Sequence, residues 1–459
     1  MLWLARMVLP VPSENFMANS EKMITLERPP IVETAILVRL ALPRDSNEEI
    51  EESLDEMRRL IWTAGAEVAC TIVQHRPEPC PATLIGSGKV KEVRAAVEEL
   101  EADLVVVDSD LTPTQGSKLQ IALGVKVVDR TQLILDIFAQ RAQTNEGKHQ
   151  VELAQLQYAL PRLTGRGVEM MRLGAGIGTR GPGEQKLEVD RRVIRKRINR
   201  LRADLDEIRK HRRIQRKTRT EGSAGTVALV GYTNAGKSSL LNALTKSHAF
   251  VEDKLFATLD PCSRRCPLPD GGHIIITDTV GFIRKLPHSL VAAFRATLEE
   301  VTDADLILLV ADVSHEAVTE HIDAVNTVLD EIGVENKPII RVFNKTDIAD
   351  PVQIREQLHG PGTTVAVSAK SGDGLDDLLR LIQDTLAHKR KRVWLRIPQR
   401  DAGVLNDLYE DGRVFERRYE GNTILVDAEL DSAAAGRLEP YIDSSQAPYA
   451  REDAYAHPA

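Results

Sequence analysis

A chain of 459 residues has room for about three domains. Its 42% hydrophobic and 28% charged content is that of a folded globular protein, not a fibrous or disordered one. A formal net charge of −8 excludes a protein that coats nucleic acid with its whole surface, but not one with a local basic patch.

The N-terminus lacks a basic stretch followed by a sustained apolar core, so residues 1–30 read as a disordered tail, not a signal peptide. Residues 31–42 are β-branched and apolar, and 48–61 are charged with helical spacing. Further apolar runs at 66–73, 104–107 and 125–128 alternate with helix-like segments, which predicts a small α/β domain over 31–140. Four cysteines (Cys70, Cys80, Cys262, Cys266) are too few for a disulfide framework and point to a reducing compartment. Cys262 and Cys266 have no second ligand pair nearby, as a structural zinc site would need.

From Arg141 the character changes. Residues 151–161 are helical, and Pro161 marks the expected end. A loop rich in glycine and arginine follows, from Gly165 to Gly183. Then Leu187, Ile194, Ile198, Leu201, Leu205 and Ile208 recur at the spacing of a coiled-coil seam. Two helices joined by that tip predict a hairpin arm over 141–222. Between 186 and 219 stand fifteen Lys/Arg against five Asp/Glu. An excess so one-sided, in an acidic chain, favours RNA or another polyanion over a merely solvated face.

Residues 223–388 carry four ordered motifs, each just after an apolar, strand-like run. The first is Gly231, Tyr232, Thr233, Asn234, Ala235, Gly236, Lys237 and Ser238, between a strand at 226–230 and a helix at 239–244. Its backbone N–H groups and the helix N-terminus suit phosphates. Lys237 is expected to reach the β- and γ-phosphates, and Ser238 to ligate Mg²⁺. The second is Asp278, Thr279, Val280 and Gly281. Asp278 would hold the metal through the second shell, and the Gly281 amide would report the γ-phosphate.

Asn344, Lys345, Thr346 and Asp347 follow a strand at 339–343, and Ser368, Ala369 and Lys370 follow later. Asp347 can accept from guanine N1 and its exocyclic amine, which adenine does not offer in that pattern. Leaving that carboxylate unpaired rejects ATP, by ~10⁴–10⁵ for a site built around such a bond. Phe256, Ala257, Thr258, Leu259 and Asp260 complete the set, with Thr258 the switch I candidate for Mg²⁺ and the γ-phosphate. Phe282 stands where many small GTPases carry a water-orienting glutamine. Slow intrinsic turnover, completed by a partner, is therefore expected.

The remaining chain has strand-like runs at 393–397, 414–419 and 423–426 and helical ones at 402–409 and 433–438. A small α+β domain over 389–440 and a tail at 441–459 follow from these. The overall expectation is an α/β protein: a P-loop GTPase domain with a mainly parallel sheet, flanked by the three other parts. The apolar stretch at 306–311 is far short of the ~18 residues of a membrane span.

Glu146 to Leu156, Gly176 to Glu184, Phe256 to Pro261 and Gly281 to Arg284 with Leu286, Pro287 and His288 resemble the HflX GTPases. The resemblance runs from about 31 to 440. It implies a cytoplasmic, monomeric GTPase that binds the large ribosomal subunit and rRNA and splits stalled or idle ribosomes under stress, peripheral membrane association being a further expectation. It also places the arm tip near the peptidyl-transferase region. In some related GTPases an asparagine at the place of Asn234 helps hold K⁺, making K⁺ a candidate second cation and Asn234 a candidate catalytic residue beside Lys237, Thr258 and Gly281. Cys262-Ser263 and Gln185-Lys186 depart from the family pattern. Two other readings stand beside this one. The first is an RNA-binding assembly or anti-association factor in which nucleotide only sets affinity. The second is ATP-dependent RNA remodelling through the N-terminal domain, where 85–89 (Ile-Gly-Ser-Gly-Lys) is too short for a phosphate loop.

Overall fold

The computed structural model describes residues 33–163, 182–220, 225–246, 255–269, 272–284, 295–334, 337–387, 391–401, 403–430 and 432–443. The expected N-terminal tail, the tip through Gly181, Leu286 to His288 and the chain beyond 443 lie outside these residues.

The first layer is a parallel four-stranded sheet, ordered β2-β1-β3-β4, made of β1 (Glu33–Ala41), β2 (Ala66–His75), β3 (Leu104–Val107) and β4 (Lys126–Asp129). β1 is buried on both faces, as a run without polar alternation requires. Helices α1 (Asn47–Ala64), α2 (Ser87–Glu99) and α3 (Pro113–Leu123) make the crossovers, and α4 (Arg130–Arg141) follows β4. Capping boxes at Ser46/Glu49 and Thr112/Gln115 start α1 and α3, and Gly65 closes α1 with φ 98°.

The arm consists of α5 (Asn145–Arg162) and α6 (Pro182–Thr220). Leu153, Ile198, Leu201 and Leu205 form its own apolar cluster, with Leu156, Leu160 and Ile194 packed against it. α5 begins six residues before the run read as helical, because Thr144 caps it by accepting from the Gly147 amide. Pro161 sits inside the last turn instead of ending it.

The second sheet has six strands in the order β10-β9-β8-β5-β7-β6. These are β5 (Thr226–Gly231), β6 (Cys262–Pro267), β7 (His273–Asp278), β8 (Leu306–Asp312), β9 (Ile339–Asn344) and β10 (Thr363–Ala366). All pairings are parallel except β6 with β7. The polar sequence of β6 hid it, since only Cys266 of that edge strand is buried. Its helices are α7 (Lys237–Thr245), α8 (Arg295–Asp303), α9 (Val318–Glu331), α10 (Pro351–Leu358) and α11 (Leu375–Ala387).

Alternation along β5 feeds two cores. Val227 and Leu229 join Leu240, Leu241 and Leu244 of α7. Ala228 and Val230 join a cluster that continues through Phe256 and Phe282 to Phe138, Met57 and Leu37 of the first layer. The N-terminal layer and the six-stranded sheet therefore share one apolar core. The chain closes with an antiparallel sheet, β11-β13-β12, of β11 (Lys391–Pro398), β12 (Gly412–Glu420) and β13 (Thr423–Leu430). α12 (Val404–Asp411) and α13 (Ser432–Arg437) lie with it.

Candidate nucleotide-binding site

β5 ends at Gly231 and α7 begins at Lys237, so the intervening loop faces a helix N-terminus. Two left-handed residues turn it, Asn234 at φ 61° and Gly236 at φ 90°. At Gly236 a Cβ would stand 2.3 Å from Asn344 Nδ2, so only glycine fits. Lys237 is buried, and its Nζ donates to the carbonyl oxygens of Gly231 at 3.1 Å and Tyr232 at 2.9 Å. Burial pulls its pKa down to about 8, against the opposing pull of Asp278. Ala235 and Thr233 are buried too, and the Thr233 hydroxyl has no hydrogen-bond partner.

The chain after β7 is stitched to this loop. Phe282 N donates to Gly231 O at 3.1 Å, and Thr233 N donates to Phe282 O at 2.8 Å. This brings Gly281 so close that a Cβ there would lie 3.0 Å from Lys237 Nζ. Thr279 donates to Leu229 O at 2.6 Å, and Val280 is buried, so their side chains anchor the strand end. Phe282 is 1% exposed and packs into the core.

Three oxygens converge beside the loop. Ser238 Oγ donates to Asp278 Oδ2 at 2.6 Å, Thr258 Oγ1 donates to the same oxygen at 3.0 Å, and the two hydroxyls are 2.8 Å apart. Burial raises the pKa of Asp278, with Lys237 as the main opposing influence, and its Oδ1 is buried without a partner. Hydroxyl and carboxylate oxygens around one point, with an orphaned buried oxygen, fit a hard cation such as Mg²⁺.

The guanine-side loops are braced in advance. Asn344 Nδ2 donates to Ala235 O at 2.9 Å, while its Oδ1 accepts from Ala369 N at 3.0 Å, tying the phosphate loop to the second guanine loop. Ser368 donates to Asp347 Oδ1 at 2.8 Å, which aims an exposed carboxylate. Lys345 pairs with Asp312 at 2.7 Å, and Thr346 N donates to Val367 O at 3.3 Å. Lys370 is exposed at the rim.

Phe256 and Leu259, expected around the nucleotide, instead send their side chains into the core. The Phe256 ring meets Phe138 of α4 edge-on, 4.7 Å between centroids. Asp260, expected there as well, turns its carboxylate onto Gln143 and Thr144 at the foot of the arm. Ala257 between them is exposed.

A polar network that no local motif announces joins the phosphate loop to α1. The Tyr232 hydroxyl donates to Glu56 and accepts from Arg284 N at 2.8 Å. Arg284 also pairs with Glu52, and buried Arg130 donates to Glu56, to Asp108 at 2.9 Å and to Arg284 O at 2.9 Å. Burial, and then Glu56, raise the pKa of Tyr232, so its phenol stays protonated as a donor. Its ring stacks on His321 of α9, centroids 3.8 Å apart.

A phosphate loop opening a helix on a mainly parallel sheet, with an exposed carboxylate braced by a serine on the neighbouring loop, belongs to one class: the P-loop GTPases. Family models match four consecutive stretches. They are described as "GTP-binding GTPase N-terminal" over 51–139, "GTP-binding GTPase Middle Region" over 141–219, "50S ribosome-binding GTPase" over 226–345 and "HflX C-terminal domain" over 353–453. "GTPase HflX" of Caldanaerobacter subterraneus subsp. tengcongensis is 50% identical over 412 residues, covering 90% of this chain and 94% of that protein. "GTPase HflX" of Escherichia coli is 42% identical over 381 residues, covering 82% and 88%. The chain belongs to the HflX GTPase family. Among solved structures, a GTP-binding protein from Sulfolobus solfataricus in complex with GDP is 26% identical, covers 78% of this chain and 99% of that one, and has a TM-score of 0.41, too low to speak to fold.

Proposed function

We propose that this GTPase uses its nucleotide state to dock on the large ribosomal subunit and its rRNA and to split stalled or idle ribosomes under stress. The observation that carries this reading is helix α6, which presents Arg192, Arg195, Lys196, Arg200 and Arg202 exposed along the arm. Such a stripe matches a phosphate backbone, because each neutralised phosphate releases counterions. The description "50S ribosome-binding GTPase" for residues 226–345 supports it. Arg197 is set apart from the stripe, since it pairs twice with Glu152 of α5 at 2.7 Å, while Arg200 stands 3.9 Å from Asp204 along α6.

In this reading the chain acts as four parts: an N-terminal α/β domain (31–140), the arm (141–222), the GTPase domain (223–388) and a C-terminal domain (389–440). It works as a monomer in the cytoplasm, with or without peripheral contact with a membrane. Backbone N–H groups of residues 231–238 cradle the phosphates, Lys237 neutralises them, and the Gly281 amide senses the γ-phosphate. Asp347, braced by Ser368, selects guanine. Ser238 and Thr258 would hold Mg²⁺, with Asp278 orienting both hydroxyls, and the site would thereby gain positive charge to offset the negative charge of the phosphates. Asn234 contributes to a K⁺ site. With Phe282 in the core, attack by water awaits a group supplied from outside.

The test is GTP hydrolysis with and without ribosomal subunits, in K⁺ and in Na⁺. Subunits should accelerate turnover, K⁺ should exceed Na⁺, and charge reversal at Arg192 and Arg195 should weaken subunit binding in a salt-dependent way. Absence of stimulation at any subunit concentration would sink the ribosomal reading.

A further inference from the structure

Switch I is fastened to the arm. Thr258 meets Ser238 and Asp278, and two residues later Asp260 reaches the turn that starts α5. Asp260 Oδ2 accepts from Gln143 N at 3.0 Å and Thr144 N at 2.9 Å, and its Oδ1 accepts from the Thr144 hydroxyl. That same hydroxyl accepts from Gly147 N at 3.0 Å, so one side chain caps the arm helix and holds the switch. The fit is tight: a Cβ on Gly147 would stand 2.3 Å from Asp260 Oδ1. A carboxylate at a helix N-terminus is favoured by the unpaired amides and the helix dipole. On the other side of Thr258, Leu255 and Phe256 are buried in the cluster that includes Val151 and Ala154 of α5 and Phe138 of α4.

Thr258 thus sits on a short span clamped at both ends by elements outside the six-stranded sheet. We propose that Asp260 is a positioning residue for hydrolysis: through Thr144 and the Gly147 amide it ties Thr258 to the foot of the arm, so that displacement of the arm withdraws Thr258 from the metal-binding oxygens. The proposal rests on the assignment of Thr258 to Mg²⁺ and the γ-phosphate. GDP contacts that do not involve Thr258 are independent of the clamp.

The experiment uses the full chain and three measurements: single-turnover GTP hydrolysis against Mg²⁺ concentration, GDP affinity, and amide hydrogen exchange over 255–262. Asp260→Asn keeps one acceptor oxygen but loses the charge. It should slow hydrolysis roughly ten- to hundredfold, the worth of a charge-assisted hydrogen bond, and raise the Mg²⁺ requirement. GDP affinity should change less than about twofold, since the clamp acts only through Thr258. Gly147→Ala, which alters nothing in the nucleotide site, should shift hydrolysis and exchange in the same direction. Thr144→Ser, which keeps donor and cap, should behave as the wild type, whereas Thr144→Ala should not. The idea falls if exchange and Mg²⁺ dependence are unchanged in Asp260→Asn and Gly147→Ala, or if GDP affinity drops as much as the rate. A hydrolysis rate unchanged by Thr258→Ala in an otherwise wild-type chain would instead remove the metal assignment beneath it, a separate result.

Discussion

Lys237 links burial to nucleotide binding. In the free protein its pKa lies near 8, because desolvation disfavours the ammonium. Phosphate oxygens favour the charged form, so the bound pKa is higher than the free one. Binding above pH 8 then takes up a proton, and GTP affinity should be flat below pH 8 and fall by up to about tenfold per pH unit above it. Titration calorimetry from pH 7 to 9.5, in buffers of different ionisation heat, reads both the proton and the slope; flat affinity throughout would contradict this. Asp347 is exposed, so changing it leaves the core alone. Asp347→Asn sets an amide donor against guanine N1–H and should cost roughly ten- to hundredfold in GTP affinity with no shift in melting temperature. The positions of both residues were legible in the sequence, because each follows a strand in a local motif. Tyr232 was legible only as a loop member. Its bond to Glu56 spans 176 residues, and no local pattern encodes such a pairing.

The arm illustrates how an element can be read from spacing while its ion pairs cannot. Ile194, Ile198, Leu201 and Leu205 recur every three or four residues and do pack on α5. Leu201 is fully buried there, so Leu201→Ala should destabilise the hairpin by about 2–5 kcal/mol. Arg197→Glu disrupts a pair whose side chains are 41% and 34% exposed, and should cost under about 1 kcal/mol. Hydrogen exchange across α5 and α6 separates the two: strong loss of protection for the leucine variant and little for the arginine. Comparable losses would mean the seam is not what holds the arm. β6 was missed for the complementary reason. A strand paired antiparallel at an edge needs only one buried side chain, and Cys266 alone makes no pattern.

At the scale of the molecule, the N-terminal layer and the six-stranded sheet are joined by a shared apolar core and by the Glu52, Glu56, Arg130, Arg284 and Tyr232 network. Arg130 is 3% exposed, so removing Glu56 leaves its buried charge with Asp108 as the remaining carboxylate partner. Glu56→Ala should lower stability by about 1–3 kcal/mol, since Asp108 still partners Arg130, and Glu56→Met with Arg130→Met should cost less than the sum of the two single Met changes. Denaturant unfolding of the four variants checks it, and simple additivity would count against a coupled network. The segment of Thr258 is held at the foot of the arm through Asp260, and the chain after Gly281 is held to α1 through Arg284.

By itself the sequence determined the class of the protein and the guanine specificity of its site. Phosphate loops, strand ends and helix periodicity are short-range features whose geometry follows from a dozen neighbouring residues. Only the tertiary structure decided what holds the switches. Asp260 meets Thr144 across 116 residues and Arg284 meets Glu52 across 232. Such pairs are chosen by which surfaces the shared core brings together, and a charged residue looks the same in sequence whether it faces water or a partner.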